Sequence, residues 1–320
     1  MALLDRSLAA AADLQSALWP QAEVCRTEDE LFDRDGIDAV ILCTPTVEHF
    51  SQAMRSLDRG WHVLCEKPLA ATRQHIIDLV SRADTAHAAG QAFSLGYQRR
   101  HLAIYRTLRR EVRSARWGAV RAIVSHNAEN WQATIPGTWR DDPRQNDGGF
   151  ITDAGSHKLD SLFYVTGLQP CEVYARCQRW GSQVEIVASA SALLSDGVAA
   201  TISFVGHAQR LSEELHVHCE QADLLIRDEQ LWIAQNGRQE RLAVDEPESS
   251  PVVGLLETIL RNAPEISPPV AALPVYDLTQ AILKSGRLRV PVVVDQSQTG
   301  ATNAVPARES ADREPADRTG

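Results

Sequence analysis

"AVILCTPTVEHFSQAMRSLDRGWHVLCEKPLA", residues 39–70, places a helical pattern between two short apolar runs of the β type. Thr44 and Pro45 are predicted as the N-cap and the first residue of this helix, and Gly60 as the residue that ends it. The runs "ALL", "AEVC" and "AFSLGY" continue the alternation through the first hundred residues. Because strands joined through helices pair in parallel, the sequence predicts an α/β fold with a doubly wound parallel sheet over residues 1–95.

The pattern changes after about residue 95. One helix, one strand and a second helix are followed by a run of strands separated by turn sequences such as "SDG" and "QNG". Strands that follow one another through short turns pair antiparallel. We therefore predict an α+β domain with a large, mainly antiparallel sheet over residues 96–294, and a disordered tail over residues 295–320, where bulky apolar side chains are almost absent.

Composition excludes several classes of protein. The chain has 320 residues and a net charge of −10, so the electrostatic attraction that drives nucleic-acid binding is missing. No apolar run is long enough to span a membrane and no signal peptide is recognisable, which predicts a cytoplasmic protein without membrane contact. The six cysteines form no C-x-x-C pair and are interpreted as reduced core residues, so no metal site is predicted.

The first candidate site is "HVLCEKPLA", residues 62–70. An apolar strand ends in Glu66 and Lys67, and Pro68 forces a turn. Open α/β sheets bind ligands at the carboxyl edge of their strands, so a substrate or cofactor could meet these two charges there. A surface ion pair beside a turn proline explains the tripeptide equally well.

The second candidate site is "DGGFITDAGSHKLD", residues 147–160. On one helix, Asp153, His157 and Asp160 would project from a single face, since they stand at positions i, i+4 and i+7. A carboxylate beside an imidazole suits proton transfer near neutral pH. The alternative is a solvated helix face, although this stripe lies beside the apolar face that faces the core.

Together these two segments resemble the Gfo/Idh/MocA family, the oxidoreductases related to glucose-fructose oxidoreductase and inositol dehydrogenase. In that family an E-K-P tripeptide closes a late strand of a Rossmann domain, and a G-G-x-x-x-D-x-G-x-H-x-x-D helix supplies the acid-base pair. The matching residues are Glu66 to Pro68 and Gly148 to Asp160. The resemblance extends from about residue 2 to residue 295.

The resemblance implies an NAD(P)-dependent oxidoreductase that moves a hydride between nicotinamide and a hydroxyl-bearing carbon of a sugar, inositol or related polyol. It implies that His157 is the acid-base catalyst, that Asp153 positions the substrate or His157, and that Lys67 contacts the substrate and the nicotinamide ribose. A cis peptide bond is expected between Lys67 and Pro68. A homo-oligomer, dimer or tetramer, is expected as well.

Further residues are implied with less defined roles. On the cofactor side they are Asp5, Arg6, Thr44, Pro45, Glu66, Pro68 and Gln98. On the substrate side they are Tyr97, Arg99, Trp139 and Arg140. Asp5 favours NAD, because a carboxylate there accepts the ribose hydroxyl and repels a 2′-phosphate, whereas the neighbouring Arg6 keeps NADP possible.

The family's first strand and its G-x-G-x-x-G turn have no counterpart in this chain. Aligned by motif, Asp5 is the acidic residue about 20 positions after that turn, so we expect the turn to lie upstream of Met1. Without this strand, "ALL" and "AVILC" would each face a gap in the sheet. Three explanations are open: a start site further upstream or a fragment, which we favour, a degenerate copy, or another segment that fills the gap.

Two other functions are compatible with these residues. A binding or regulatory protein could retain the substrate domain without binding dinucleotide. An NAD-dependent glycosidase or eliminating enzyme of the same family could oxidise its sugar only transiently.

Overall fold

The computed structural model describes residues 1–294, so the predicted disordered tail, residues 295–320, lies outside the described residues. Within the described part of the chain, no helix is both long and apolar enough to cross a membrane.

The first third of the chain alternates parallel strands with helices. Its strands are β1 (Ala2–Leu4), β2 (Glu23–Cys25), β3 (Ala39–Leu42), β4 (His62–Cys65) and β5 (Phe93–Leu95). Its helices are α1 (Leu8–Leu18), α2 (Glu28–Phe32), α3 (Thr46–Asp58) and α4 (Arg73–Ala88). Every strand pair in this part is parallel, which confirms the predicted α/β class.

These five strands form two separate sheets. β1 pairs with β2, and β3, β4 and β5 form a three-stranded sheet in that order. Among residues 1–294, no strand pairs with the free edges of β1 and β3, and Ile41 of β3 is 54% exposed. The expected gap is therefore present, and the explanation that another described segment fills it is wrong.

The helix after β3 begins later than predicted. Pro45 has extended backbone angles, φ −59° and ψ 147°, and α3 starts at Thr46. Thr44 is therefore not an N-cap, and its hydroxyl donates instead to Oε1 of Gln52 at 2.6 Å. The predicted end of the helix is confirmed, because Gly60, with φ +82°, follows the last helical residues.

The rest of the described chain, residues 96–294, is built on a nine-stranded sheet. Its strands are β6 (Val120–Ala128), β7 (Pro170–Gln178), β8 (Val187–Leu194), β9 (Ala199–Val205), β10 (Ser212–Cys219), β11 (Asp223–Arg227), β12 (Gln230–Gln235), β13 (Arg238–Arg241) and β14 (Val292–Val293). The spatial order is β13-β12-β11-β10-β6-β9-β8-β7-β14. Only β6 and β9 pair in parallel, so the prediction of a mainly antiparallel sheet is confirmed.

Helices cover one face of this sheet. They are α5 (Ala103–Arg113), α6 (Gly149–Thr152), α7 (Ala154–Thr166) and α9 (Ala272–Leu288), whereas α8 (Pro251–Arg261) packs against β4 and β5. Along β8 the alternation is complete: Ala188, Ala190 and Ala192 are buried, whereas Ser189 and Ser191 are exposed. One face of the sheet therefore packs in the core, and the other is lined by small polar residues.

Candidate active site

The E-K-P segment leaves the carboxyl end of β4. The strand before it is buried, so the chain emerges from the core directly at Glu66 and Lys67. The peptide bond between Lys67 and Pro68 is cis, as expected. The Lys67 ammonium donates to Oδ1 of Asp153 at 2.6 Å and to the Asp153 backbone oxygen at 3.0 Å. Residues 86 positions apart thus meet in one ion pair.

Asp153 stands at a break between two helices. A single helix was predicted here, but α6 ends and α7 begins at Asp153, whose φ and ψ are −78° and −80°. Gly148 and Gly149, at the start of α6, have positive φ angles of +88° and +52°. The prediction of one uninterrupted helix is therefore wrong at Asp153, which directly precedes α7, the helix that carries His157.

The Asp153 carboxylate is held by two cations. Its second oxygen, Oδ2, accepts a hydrogen bond from Nε of Arg140 at 2.8 Å. Burial by itself would raise the pKa of Asp153, but Lys67 and Arg140 together lower it. The carboxylate is consequently ionised at neutral pH, and it fixes both cations in place.

His157 lies beside this ion-pair cluster without a hydrogen bond to Asp153. Its Nδ1 atom is buried and, within the described residues, has no hydrogen-bond partner. Burial, and then the charges of Lys67, Arg99 and Lys158, lower the pKa of His157 well below its usual value. The imidazole is therefore neutral at physiological pH, which is the form that accepts a proton.

These side chains line a pocket of about 530 Å³. Six residues expected in the site are on its wall: Lys67, Gln98, Arg99, Arg140, Asp153 and His157. The other lining residues include Glu129, Trp131, Lys158 and Glu213. A pocket of this size with many charged donors and acceptors suits a small, highly hydroxylated molecule.

Other expected residues lie outside this pocket. Trp139 does not line it, but its ring lies 4.5 Å from the guanidinium carbon of Arg140 and supports that side chain. Tyr97 is buried, with its ring edge towards His157, and lines a second cavity of about 330 Å³ together with Pro68. Thr44, Pro45 and Glu66 line neither cavity.

Asp5 and Arg6 follow β1, in the two-stranded sheet that is separate from β3, β4 and β5. Oδ1 of Asp5 accepts a hydrogen bond from the backbone N–H of Ser7 at 2.7 Å, and Ser7 is the N-cap of α1. Asp5 thus holds the turn between strand and helix. Neither residue lines the 530 Å³ pocket.

The sequence analysis missed His49, which is 1% exposed. Its two ring nitrogens lie 2.8 Å from the backbone oxygens of Thr44 and Pro68. It therefore connects the two segments expected on the cofactor side. Both partners are acceptors, so the two hydrogen bonds form together only when the imidazole is protonated. Burial lowers the pKa of His49 and so favours the neutral ring, which donates only one of the two bonds. A histidine in the first turn of the helix after "TP" was the available signal.

The basic run "RRHLAIYRTLRR", residues 99–110, has the pattern of a solvated or interface face, but its first two residues are buried. Arg99 and Arg100 are each 8% exposed. Arg100 forms hydrogen bonds with the fully buried carboxylate of Asp160. Asp160 therefore belongs to a core ion pair, away from Asp153 and His157.

The fold and this pocket define a class: two-domain oxidoreductases in which a Rossmann domain is followed by an open-sheet domain. A family model described as "Oxidoreductase family, NAD-binding Rossmann fold" matches residues 1–97, and one described as "GFO/IDH/MocA C-terminal domain" matches residues 105–225. The chain belongs to the Gfo/Idh/MocA family of oxidoreductases.

Several characterised relatives are sugar oxidoreductases. The chain is 31% identical over 147 residues to 1,5-anhydro-D-fructose reductase of Ensifer adhaerens, which is 46% of this chain and 43% of that protein. It is 29% identical over 139 residues to glucose-6-phosphate 3-dehydrogenase of Bacillus subtilis, 43% of this chain and 38% of the relative. The matches thus span less than half the length of these relatives.

Solved structures share the fold over most of both chains. An oxidoreductase domain protein from Kribbella flavida superposes with a TM-score of 0.83 at 22% identity, over 92% of this chain and 90% of the other. Levoglucosan dehydrogenase in complex with NADH gives a TM-score of 0.80 at 15% identity, with the same coverage. At these identities the similarity establishes the fold alone.

Proposed function

We propose that this protein is an NAD(P)-dependent oxidoreductase that moves a hydride between nicotinamide and a hydroxyl-bearing carbon of a sugar, inositol or related polyol. The observation that carries the proposal is the meeting of Lys67, Asp153 and a neutral His157 on the wall of one pocket. Sugar oxidoreductases among the relatives support the same substrate class.

The described residues fit the nicotinamide half of the cofactor better than its pyrophosphate half. His49 lies 2.8 Å from the backbone oxygens of Thr44 and Pro68, while Lys67 and Gln98 line the pocket. No G-x-G-x-x-G turn occurs among the 320 residues to hold the pyrophosphate. When bound, the cofactor supplies a hydride acceptor or donor at its nicotinamide ring. Asp5 favours NAD, and NADP remains compatible with Arg6.

The protein's own residues would manage the proton and the oxygen. In the oxidation direction, neutral His157 accepts the proton of the reacting hydroxyl as the carbon gives up its hydride. The Lys67 ammonium donates a hydrogen bond to the same oxygen and stabilises its developing negative charge. Asp153 acts on Lys67 and Arg140, the two side chains that it holds in place.

The test is turnover of neutral hexoses and inositols with NAD⁺ or NADP⁺ by variants of the two central residues. His157→Asn and Lys67→Met should each lower kcat about 10²- to 10⁴-fold, as expected for the loss of an acid-base or electrostatic group. His87→Asn and Lys284→Met, at exposed positions, are matched controls and should retain wild-type rates. Wild-type turnover by both site variants would refute this mechanism.

A second candidate is a binding or regulatory protein that recognises the polyol without dinucleotide. The split of the first sheet at the position of the missing strand favours it. Titration of this chain with NADH, followed by fluorescence, separates the two functions. Saturable binding supports the oxidoreductase, and no binding at millimolar NADH supports the second candidate. Net NADH formation during turnover would in turn argue against a glycosidase or eliminating enzyme.

We propose further that the protein is a cytoplasmic homo-oligomer, a dimer or tetramer. The six cysteines are all free thiols, which supports a reducing compartment. Ser189, Ser191 and Leu193 are exposed along β8 of the nine-stranded sheet, which supports this sheet face as the surface for a second copy. A purely monomeric species in sedimentation velocity would contradict the oligomer.

A further inference from the structure

The pocket contains a second charged cluster that the mechanism above does not use. It consists of Arg99, Lys158 and Glu213, and we refer to it as the distal cluster. Arg99 comes from the short helical turn after β5, Lys158 from α7 and Glu213 from β10. Three separate elements thus deliver one charge each to the same pocket wall.

Glu213 is the centre of the distal cluster. Nε of Arg99 donates to its Oε2 atom at 2.9 Å, and the Arg99 Nη2 and Lys158 ammonium groups both contact Oε1. The Lys158 side chain is 5% exposed and that of Glu213 20%. Glu213 is therefore held in a fixed position while part of its carboxylate stays accessible from the pocket.

The distal cluster has unused hydrogen-bonding capacity. A carboxylate offers about four acceptor sites, and the contacts with Arg99 and Lys158 occupy two on Oε1 and one on Oε2. Lys158 has three N–H donors as an ammonium group and two as an amine, and Glu213 takes one of them. The cluster can thus accept a hydrogen bond from one hydroxyl and donate to its neighbour, which is the pattern of a vicinal diol.

The local charge favours a neutral ligand over an anion. Arg99 and Lys158 face the carboxylate of Glu213, and Glu129 lines the same pocket. Burial, and then the charge of Arg99, lower the pKa of Lys158. With Lys158 protonated, the two positive charges are matched by the carboxylates of Glu213 and Glu129, and without that proton the two carboxylates outnumber Arg99. A phosphate or carboxylate group would have to compete with Glu213 for the same donors.

We propose that Lys158 and Glu213 bind two adjacent hydroxyls of a neutral polyol, on the part of the substrate away from the carbon that reacts beside His157 and Lys67. This inference rests on the proposed function and refines it to a substrate with a vicinal diol in fixed stereochemistry. His157 and Lys158 are consecutive residues of α7, and both line the pocket together with Lys67 and Glu213.

The experiment couples a missing hydroxyl in the substrate to a missing side chain in the protein. Neutral hexoses and inositols are first screened with NAD⁺ and NADP⁺, and kcat/KM is then measured for the monodeoxy analogues of the best substrate. For wild type, one analogue, or two adjacent ones, should lose about 10- to 100-fold in kcat/KM, as expected for a hydrogen bond to a charged group. In the Glu213→Gln or Lys158→Met variant, kcat/KM for the parent substrate should fall by a similar factor. The sensitive monodeoxy analogue should then have a kcat/KM only slightly lower than that of the parent substrate with the same variant.

Controls separate binding from structural damage. Asp277→Asn removes a charge from a comparably buried ion pair with Arg73, outside the pocket, and should leave the wild-type pattern of analogues unchanged. Should Lys158→Met fail to fold by circular dichroism, Lys158→Gln replaces it. Equal losses for every analogue in wild type and variants, or a preference for phosphorylated sugars, would overturn the diol assignment. If no polyol is turned over at all, the proposed function fails and the diol assignment falls with it.

Discussion

The buried imidazole of His101 forms no hydrogen bond with any described residue. It is fully buried, and both of its ring nitrogens lack a hydrogen-bond partner within residues 1–294. Gly254 of α8 lies directly against it, since a Cβ atom there would come within 2.5 Å of the ring. Burial, and then the charges of Arg106 and Arg100, lower the pKa of His101 to about 4. The folded protein therefore keeps this ring neutral.

This predicts a loss of stability in mild acid. An unfolded histidine titrates near pH 6.5, so between pH 6.5 and about 4 the unfolded chain binds a proton that folded His101 does not. The free energy of unfolding should thus fall as the pH drops, by about 2 kcal/mol at pH 5 from His101. Urea unfolding at pH 7.5 and pH 5 measures the difference. His101→Gln should show a smaller pH dependence, and an unchanged one would contradict this assignment.

At the scale of elements, the start of α6, four residues before the break at Asp153, requires Gly149. Its φ is +52°, and a Cβ atom would lie 2.4 Å from the backbone oxygen of Glu185. We expect Gly149→Ala to shift the break and move Asp153 away from Lys67, lowering kcat at least 10-fold and stability by about 2 kcal/mol. Gly181→Ala is the matched control, because Gly181 has φ +87° but open space around it.

The two glycine variants separate backbone strain from crowding. Both introduce a side chain at positive φ, which by itself costs about 1 kcal/mol. Only Gly149→Ala should also reduce activity, measured as kcat beside the thermal unfolding midpoint. Equal effects at both positions would show that the position of Asp153 does not depend on this turn.

At the scale of the whole molecule, the first 38 residues lie outside the main core. That core is one continuous cluster from Leu42 to Val294, and the buried side chains before it, such as Cys25 and Phe32, do not belong to it. β1 and β2 pair only with each other among the described strands. Fewer packing contacts predict that this segment opens more easily than the rest.

Hydrogen exchange followed by mass spectrometry tests this expectation. Backbone amides of β1 and β2 should exchange at least about 30-fold faster than those of β4 and β9, which corresponds to an opening free energy lower by about 2 kcal/mol. Peptides from α1 should follow β1 and β2, since the helix packs on them. Equal protection across all these strands would contradict a weakly packed N-terminal segment.

Much of the fold and part of the site could be predicted from local patterns. The alternation of strands and helices before Leu95, the strand end at Glu66 and the paired motif residues Asp153 and His157 depend on periodicity and turn chemistry within short windows. The gap beside β1 was predictable for the same reason, since the strand order of a Rossmann sheet is fixed. Helix starts were less certain, as Thr44 and Pro45 demonstrate.

The sequence by itself determined which residues end the strands and where the motif residues stand along the chain, because these are properties of neighbours along the chain. Tertiary structure decided which charges share a pocket. Lys67 meets Asp153 across 86 residues, and Arg99 meets Glu213 across 114. No local pattern encodes such contacts, since they arise when separate elements pack and buried charges require partners. The same packing buried Arg100 and Asp160 in the core and brought Lys158 to Glu213.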